Sequence, residues 1–78
     1  MDLLLTYDKD LTTDRASKDM LGLLDDFIGV PCRVSDNAEG VSIPRLYVDG
    51  ELFAIGYGQL ENKLDQLVDR AEADEATG

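Results

Sequence analysis

Seventy-eight residues make one small domain, and its stability margin is thin because so short a chain buries a modest share of its surface. Hydrophobic residues are 44% of the chain, too many for a disordered polymer, yet no apolar run approaches the ~20 residues of a membrane span. A net charge of −10, from 17 acidic and 7 basic residues, disfavours nonspecific binding to nucleic acid or to an anionic membrane.

Finer composition adds expectations. The start, Met1-Asp2-Leu3-Leu4-Leu5, has no basic residue before its short apolar run and does not read as a signal peptide. The lone Cys32 excludes an internal disulfide framework and points to a reducing, cytoplasmic setting. Asp outnumbers Glu twelve to five, and Lys occurs three times. That bias fits a salt-loving host, and equally a GC-rich genome, a phage's included. The acids are scattered rather than arrayed, which is the pattern of a solvated surface.

In chain order, residues 2–7 read as a buried strand and 8–12 as a polar loop. From about Thr12 to Ile28, the residues Ala16, Met20, Leu24, Phe27 and Ile28 fall on one helical face. Thr12 or Thr13 can cap this helix, with Asp14 in its first turn favoured by the helix dipole. Gly22 weakens it by about 1 kcal/mol relative to Ala. Gly29 ends it, with Pro31 just beyond. Residues 30–35 read as a second strand and 36–40 as a turn-rich link. Residues 44–49 and 51–56 form a hairpin through Asp49-Gly50. Leu60, Leu64, Leu67 and Val68 mark a final amphipathic helix from about Gly58 to Ala71. The expected organisation is one domain over 1–71 and an acidic, flexible tail over 72–78.

The order is β-α-β-β-β-α, and the helix between the first two strands makes them parallel by a right-handed crossover. Several segments resemble glutaredoxins and the wider thioredoxin fold. Leu5-Thr6-Tyr7-Asp8-Lys9 resembles the end of the family's first strand. Gly29-Val30-Pro31 is similar to the Gly-Ile-Pro before its second strand, and Ser42-Ile43-Pro44 to the element carrying its cis-proline. Val48-Asp49-Gly50 resembles its hairpin, and Gly56-Tyr57 its Gly-Gly-Tyr turn. The resemblance implies a minimal thioredoxin-like α/β fold, a four-stranded mixed sheet with helices on one face.

The departures decide function. Counting on from Lys9, the resemblance implies a Cys-x-x-Cys motif starting at Thr12, but the chain reads Thr12-Thr13-Asp14-Arg15. Thr12 takes the nucleophile's position and Arg15 the resolving one. A threonine hydroxyl cannot exchange disulfides, because that chemistry needs a thiolate. Thr12 is then either a residual binding position at a helix N-terminus or only a cap. Cys32 falls in a strand, where a free cysteine usually behaves as a small hydrophobe, the alternative being a reactive or dimer-linking thiol. Glutathione binding is weakened too. In the family, the peptide pairs with the residue before the cis-proline and with a Gly-Asp in the last turn. Ile43 and Pro44 remain here, but Ile55-Gly56-Tyr57-Gly58 lacks the acid. Lys9 matches a position that contacts the glycyl carboxylate in relatives. The vestigial site therefore comprises Lys9, Thr12, Arg15, Ile43, Pro44, Gly56 and Tyr57, with no catalytic residue and no cofactor.

The family's helix between strands two and three is also missing. About eight residues, 36–43, must cross the end of the first strand, a span of about 10 Å. At ~3.3 Å each they reach it. One sheet face then lacks cover, and the strand pattern agrees. Cys32, Val34, Leu46 and Val48 can face helices, while Arg33, Ser35, Arg45 and Tyr47 face the other way. Arg33, Arg45 and Tyr47 are residue types enriched at interfaces, so they form a candidate partner surface, or they merely keep the face soluble. The link at 36–40 is expected near the loop at Lys9 to Thr12.

Other chemistry is sparse. With no histidine there is no His-based acid–base pair, triad or zinc site. Asp8, Asp10 and Asp14 lack the glycine and closing glutamate of a calcium loop. The favoured function is a redox-inactive, protein-binding module. Alternatives are a glutaredoxin-like oxidoreductase or glutathione-binding protein, and an acidic, phage-type inhibitor of a host enzyme.

Overall fold

The structure is a computed structural model that describes residues 1–11 and 13–77, the side chains of 75–77 excepted. Strand β1 is Leu3–Thr6, and its alternation puts Leu3 and Leu5 in the core with no exposed surface. A single 3-10 turn at Lys9–Leu11 leads to helix α1, Asp14–Phe27. Strands β2 (Cys32–Ser35), β3 (Arg45–Val48) and β4 (Glu51–Ile55) follow, then helices α2 (Gly56–Asn62) and α3 (Leu64–Thr77). The sheet order is β2-β1-β3-β4, with β1 parallel to β2 and the other two pairs antiparallel. With the helices on one face, this topology is that of a minimal thioredoxin-like fold.

The core is where the two alternations meet. Leu3 pairs with Val48 and Leu5 with Leu46, so four apolar side chains point to the helices. Met20 and Leu24 of α1, Leu60 of α2 and Leu67 of α3 close over them. Each such burial is worth about 1.5–3 kcal/mol. Asp49 and Gly50 both take positive φ, as a two-residue hairpin turn matched to the strand twist requires.

Several expectations need correction. The bond before Pro44 is trans, and no cis bond occurs among the described residues. Trans is the default state of an X–Pro bond. Thr13 stands at the start of α1, but its hydroxyl does not cap the helix; it donates to the Asp8 carbonyl at 2.6 Å. Thr12, the other capping candidate, lies outside the described residues. Phe27, expected on the buried face of α1, is 59% exposed at the last turn. Val34 shares the helix-facing side with Leu5, yet as an edge-strand residue it is 46% exposed.

The final helix is two helices, and it does not end at Ala71. They break at Lys63, whose ammonium donates to the Phe53 carbonyl at 2.9 Å and lies 5.5 Å from the Phe53 ring centre. α3 continues through residues 72–77. Phe53 itself is the extra residue of a β-bulge, since Leu46 pairs with Ala54 and Tyr47 with Leu52.

Gly56 fixes how α2 leaves the sheet. It has φ of 82°, and its N–H donates to the Pro44 carbonyl at 2.8 Å. A Cβ there would stand 2.9 Å from Ile43 Cγ2. Gly56→Ala should therefore cost about 1–3 kcal/mol in urea unfolding. In an Ile43→Ala background the clash is relieved and only the backbone strain remains, so the penalty should shrink without vanishing. An unchanged midpoint for Gly56→Ala would contradict this account.

Candidate functional site

The open face is read from the strand registers. Arg33, Leu4, Tyr47 and Leu52 form one cross-strand row. Ser35, Thr6, Arg45 and Ile55 form the next. Leu52 is 50% exposed and Arg45 is exposed, so no helix covers this side. A concavity of about 300 Å³ lies on it, with Leu4, Thr6 and Tyr47 as its floor. Ala38 and Val41, from the link between β2 and β3, wall one side, and Asp2 and Arg33 stand at the rim.

The two candidate arginines of this face differ. Arg33 makes a bidentate pair with Asp2, Nε to Oδ1 at 3.1 Å and Nη2 to Oδ2 at 2.7 Å. Its charge is already met, and the exposed pair adds little stability. Arg45 has no ion pair among the described residues. It projects between Thr6 and Ile55 with its charge available.

The other candidate set is only partly assembled. Ile43, Pro44 and Gly56 come together, through the Gly56-to-Pro44 hydrogen bond and the Ile43 contact. Tyr57 instead faces α1 in a shallow groove with Lys18, Asp19 and Gly22. Lys9 and Arg15 are exposed, on the 3-10 turn and the first turn of α1. Thr12 lies outside the described residues. Cys32 pairs with Leu3, at the far end of the sheet from the Lys9–Arg15 loop. It sits half-buried against the core, where burial pushes its thiol pKa up, partly offset by the Leu5 backbone. Its sulfur contacts the Arg33 carbonyl at 3.3 Å. The Tyr7 phenol is pushed up as well, first by desolvation and then by the Asp14 carboxylate.

The organising residue that sequence reading missed is Asp8. Its carboxylate is buried and accepts from two segments, Asp10 N–H at Oδ1 and Gly40 N–H at Oδ2, each at 2.9 Å. Its backbone bridges to Asn37 and accepts from Leu11 N–H and the Thr13 hydroxyl. The link therefore does run beside the loop that follows β1. The available signal was local: an Asp whose side chain bonds the N–H two residues on is an Asx turn.

No family model, curated protein or solved structure matches this chain.

Asp8→Ala removes both side-chain bonds to a charged acceptor and should cost about 3 kcal/mol. Asp8→Asn keeps one acceptor and should lose about half of that. In both, the Gly40 amide should exchange faster with solvent, and unchanged protection would show that the carboxylate does not hold the link. The raised Cys32 pKa leaves less thiolate near neutral pH than a free cysteine has. Its reaction with a disulfide reagent should be slower than that of free glutathione and climb as pH passes the raised pKa. A fast reaction at pH 7 would overturn the reading of Cys32 as a packing residue.

Proposed function

We propose that the protein is a thioredoxin-like scaffold without dithiol chemistry that binds another protein through its open sheet face. One observation carries this reading: the charge composition of that face differs from the rest of the molecule. Among the described acidic residues, Asp2 alone lines the concavity, and Arg33 neutralises it. What remains is an apolar row, Leu4, Tyr47 and Leu52, beside Arg45, which has no ion pair among the described residues. The complement is a protein surface with apolar side chains and a carboxylate placed to meet Arg45. Tyr and Arg in such a setting are typical anchors of binding energy.

The glutaredoxin-like and glutathione-binding readings have less support. The bond before Pro44 is trans, the one thiol sits at the opposite end of the sheet, and Tyr57 faces α1. The resemblance is one of fold.

The test is capture of a partner from a lysate of the source cells, followed by affinity measurement with that partner. Arg45→Glu and Tyr47→Ala should each weaken binding about tenfold or more, equivalent to ~1.4 kcal/mol. Cys32→Ser should leave it unchanged. Equal affinity for both face variants would sink the proposal. So would thiol–disulfide turnover by the wild type.

A further inference from the structure

The two edges of the sheet are treated differently. At β4 the outward groups are occupied by side chains of the helical segment that follows. Ile55 N–H donates to Gln59 Oε1 at 3.0 Å, and Lys63 Nζ donates to the Phe53 carbonyl at 2.9 Å. The bulge at Phe53 breaks the regular spacing of that edge further. These are standard means of stopping a further strand from pairing.

Among the described residues, no side chain protects β2 in this way. Tyr7 N–H donates to the Ser35 carbonyl at 3.0 Å, so Ser35 turns its main-chain groups towards β1. Strand alternation then turns those of Arg33 the same way, and those of Cys32 and Val34 outward. β2 is an edge strand, and no further strand pairs with it among the described residues. Val34 points to the helix-facing side and is 46% exposed.

The surroundings of this edge are acidic. Asp36 follows β2 two residues after Val34, on the same side, and acts on Tyr7 together with Asp14. Lys18, Asp19, Gly22 and Asp26 of α1 share a groove with Tyr57 on the α2 side. Helical spacing puts Asp14, Lys18, Leu21 and Asp25 along the opposite flank, away from Leu23 and α2, where Lys18 offsets Asp14 and leaves Asp25 unmatched among the described residues. Leu21 is half-buried against the core, and Lys18 pairs with Asp14 at 3.2 Å.

We infer that the outer edge of β2 accepts an extended, basic segment of a partner protein as a fifth strand. Main-chain bonds to Cys32 and Val34 supply affinity, and alternate side chains supply specificity. On the helix-facing side, the segment places an apolar residue against Val34 and basic residues two positions to either side, towards Asp36 and Asp25. A second copy of this chain is a poor occupant. Antiparallel pairing of two β2 strands about Val34 sets Cys32 against Asp36 with no cation, and two chains of charge −10 repel. This site is separate from the open face, so either can fail without the other.

The probe is the acetylated, amidated peptide Thr-Lys-Thr-Val-Thr-Lys-Thr, with a second peptide carrying Glu in place of Lys. Binding to the full chain is read by titration and by amide hydrogen exchange. The Lys peptide should bind and slow exchange at the Cys32 and Val34 amides, and the Glu peptide should bind at least about tenfold more weakly, ~1.4 kcal/mol. Val34→Pro removes an outward N–H and spares the β1 ladder, as an edge position permits. It should weaken the Lys peptide by a similar factor while the Tyr7 amide stays protected. Should Val34→Pro fail to fold, Val34→Lys serves, since its charge repels the basic segment. Arg45→Glu and Tyr47→Ala should leave peptide binding intact. Five results would each overturn the inference: no binding at millimolar peptide, equal binding of the two peptides, indifference to the Val34 variants, protection at Phe53 and Ile55 instead, or self-association of the chain through β2.

Discussion

Asp8 joins two segments that share a single β-bridge and no longer strand ladder. Its carboxylate holds the turn that leads into α1 through Asp10 and the link between β2 and β3 through Gly40. That link must cross the end of β1 without a helix of its own, so its backbone groups need partners from elsewhere. A buried carboxylate supplies strong, charge-assisted acceptors in a small space. The Thr13 hydroxyl follows from the same arrangement. Drawn to the Asp8 carbonyl, it leaves the helix uncapped by its own side chain. The loop is organised around Asp8 rather than around the helix terminus.

A sheet covered on one face has to solve two problems, and the charges of this chain answer both. The uncovered face must stay wetted without losing its strands, and alternation places Thr6, Ser35 and two arginines there. The edges must not pair indiscriminately. Gln59 and Lys63 reach back from α2 and its end to occupy β4. Lys63 stands where the helical run divides into α2 and α3, and it closes the edge at the bulge. The thin core of a chain this size leaves little stability for further ordering, so such side-chain-to-backbone bonds carry a large share of local definition.

How much was legible depends on how local the cause was. The alternation in Cys32–Ser35 and Arg45–Val48 was readable because each strand buries one face, and its period shows directly in residue type. The Asp49-Gly50 turn was readable because positive φ selects those residues. Phe27 was misread because a helical face continues in the sequence past the point where the core ends. The break at Lys63 was invisible because the group its side chain meets, the Phe53 carbonyl, lies ten residues away at the bulge of β4. The site set drawn from the family resemblance came together at Ile43, Pro44 and Gly56. Tyr57 turned to α1, because α2 begins at Gly56 itself and its helical spacing directs the next side chain away.

The sequence by itself determined the order of elements, the one-sided sheet and the lack of a cysteine pair. Those follow from periodicity, turn chemistry and composition, which are properties of neighbouring residues. Only the tertiary structure decided that Arg33 is neutralised by Asp2 while Arg45 has no ion pair among the described residues, that the Pro44 bond is trans, and that Asp8 is the tie between loop and link. Only it decided that β4 is blocked and β2 is open. Each of these depends on groups far apart in the chain meeting within hydrogen-bond distance, and no local pattern encodes which partners the folded backbone will bring together.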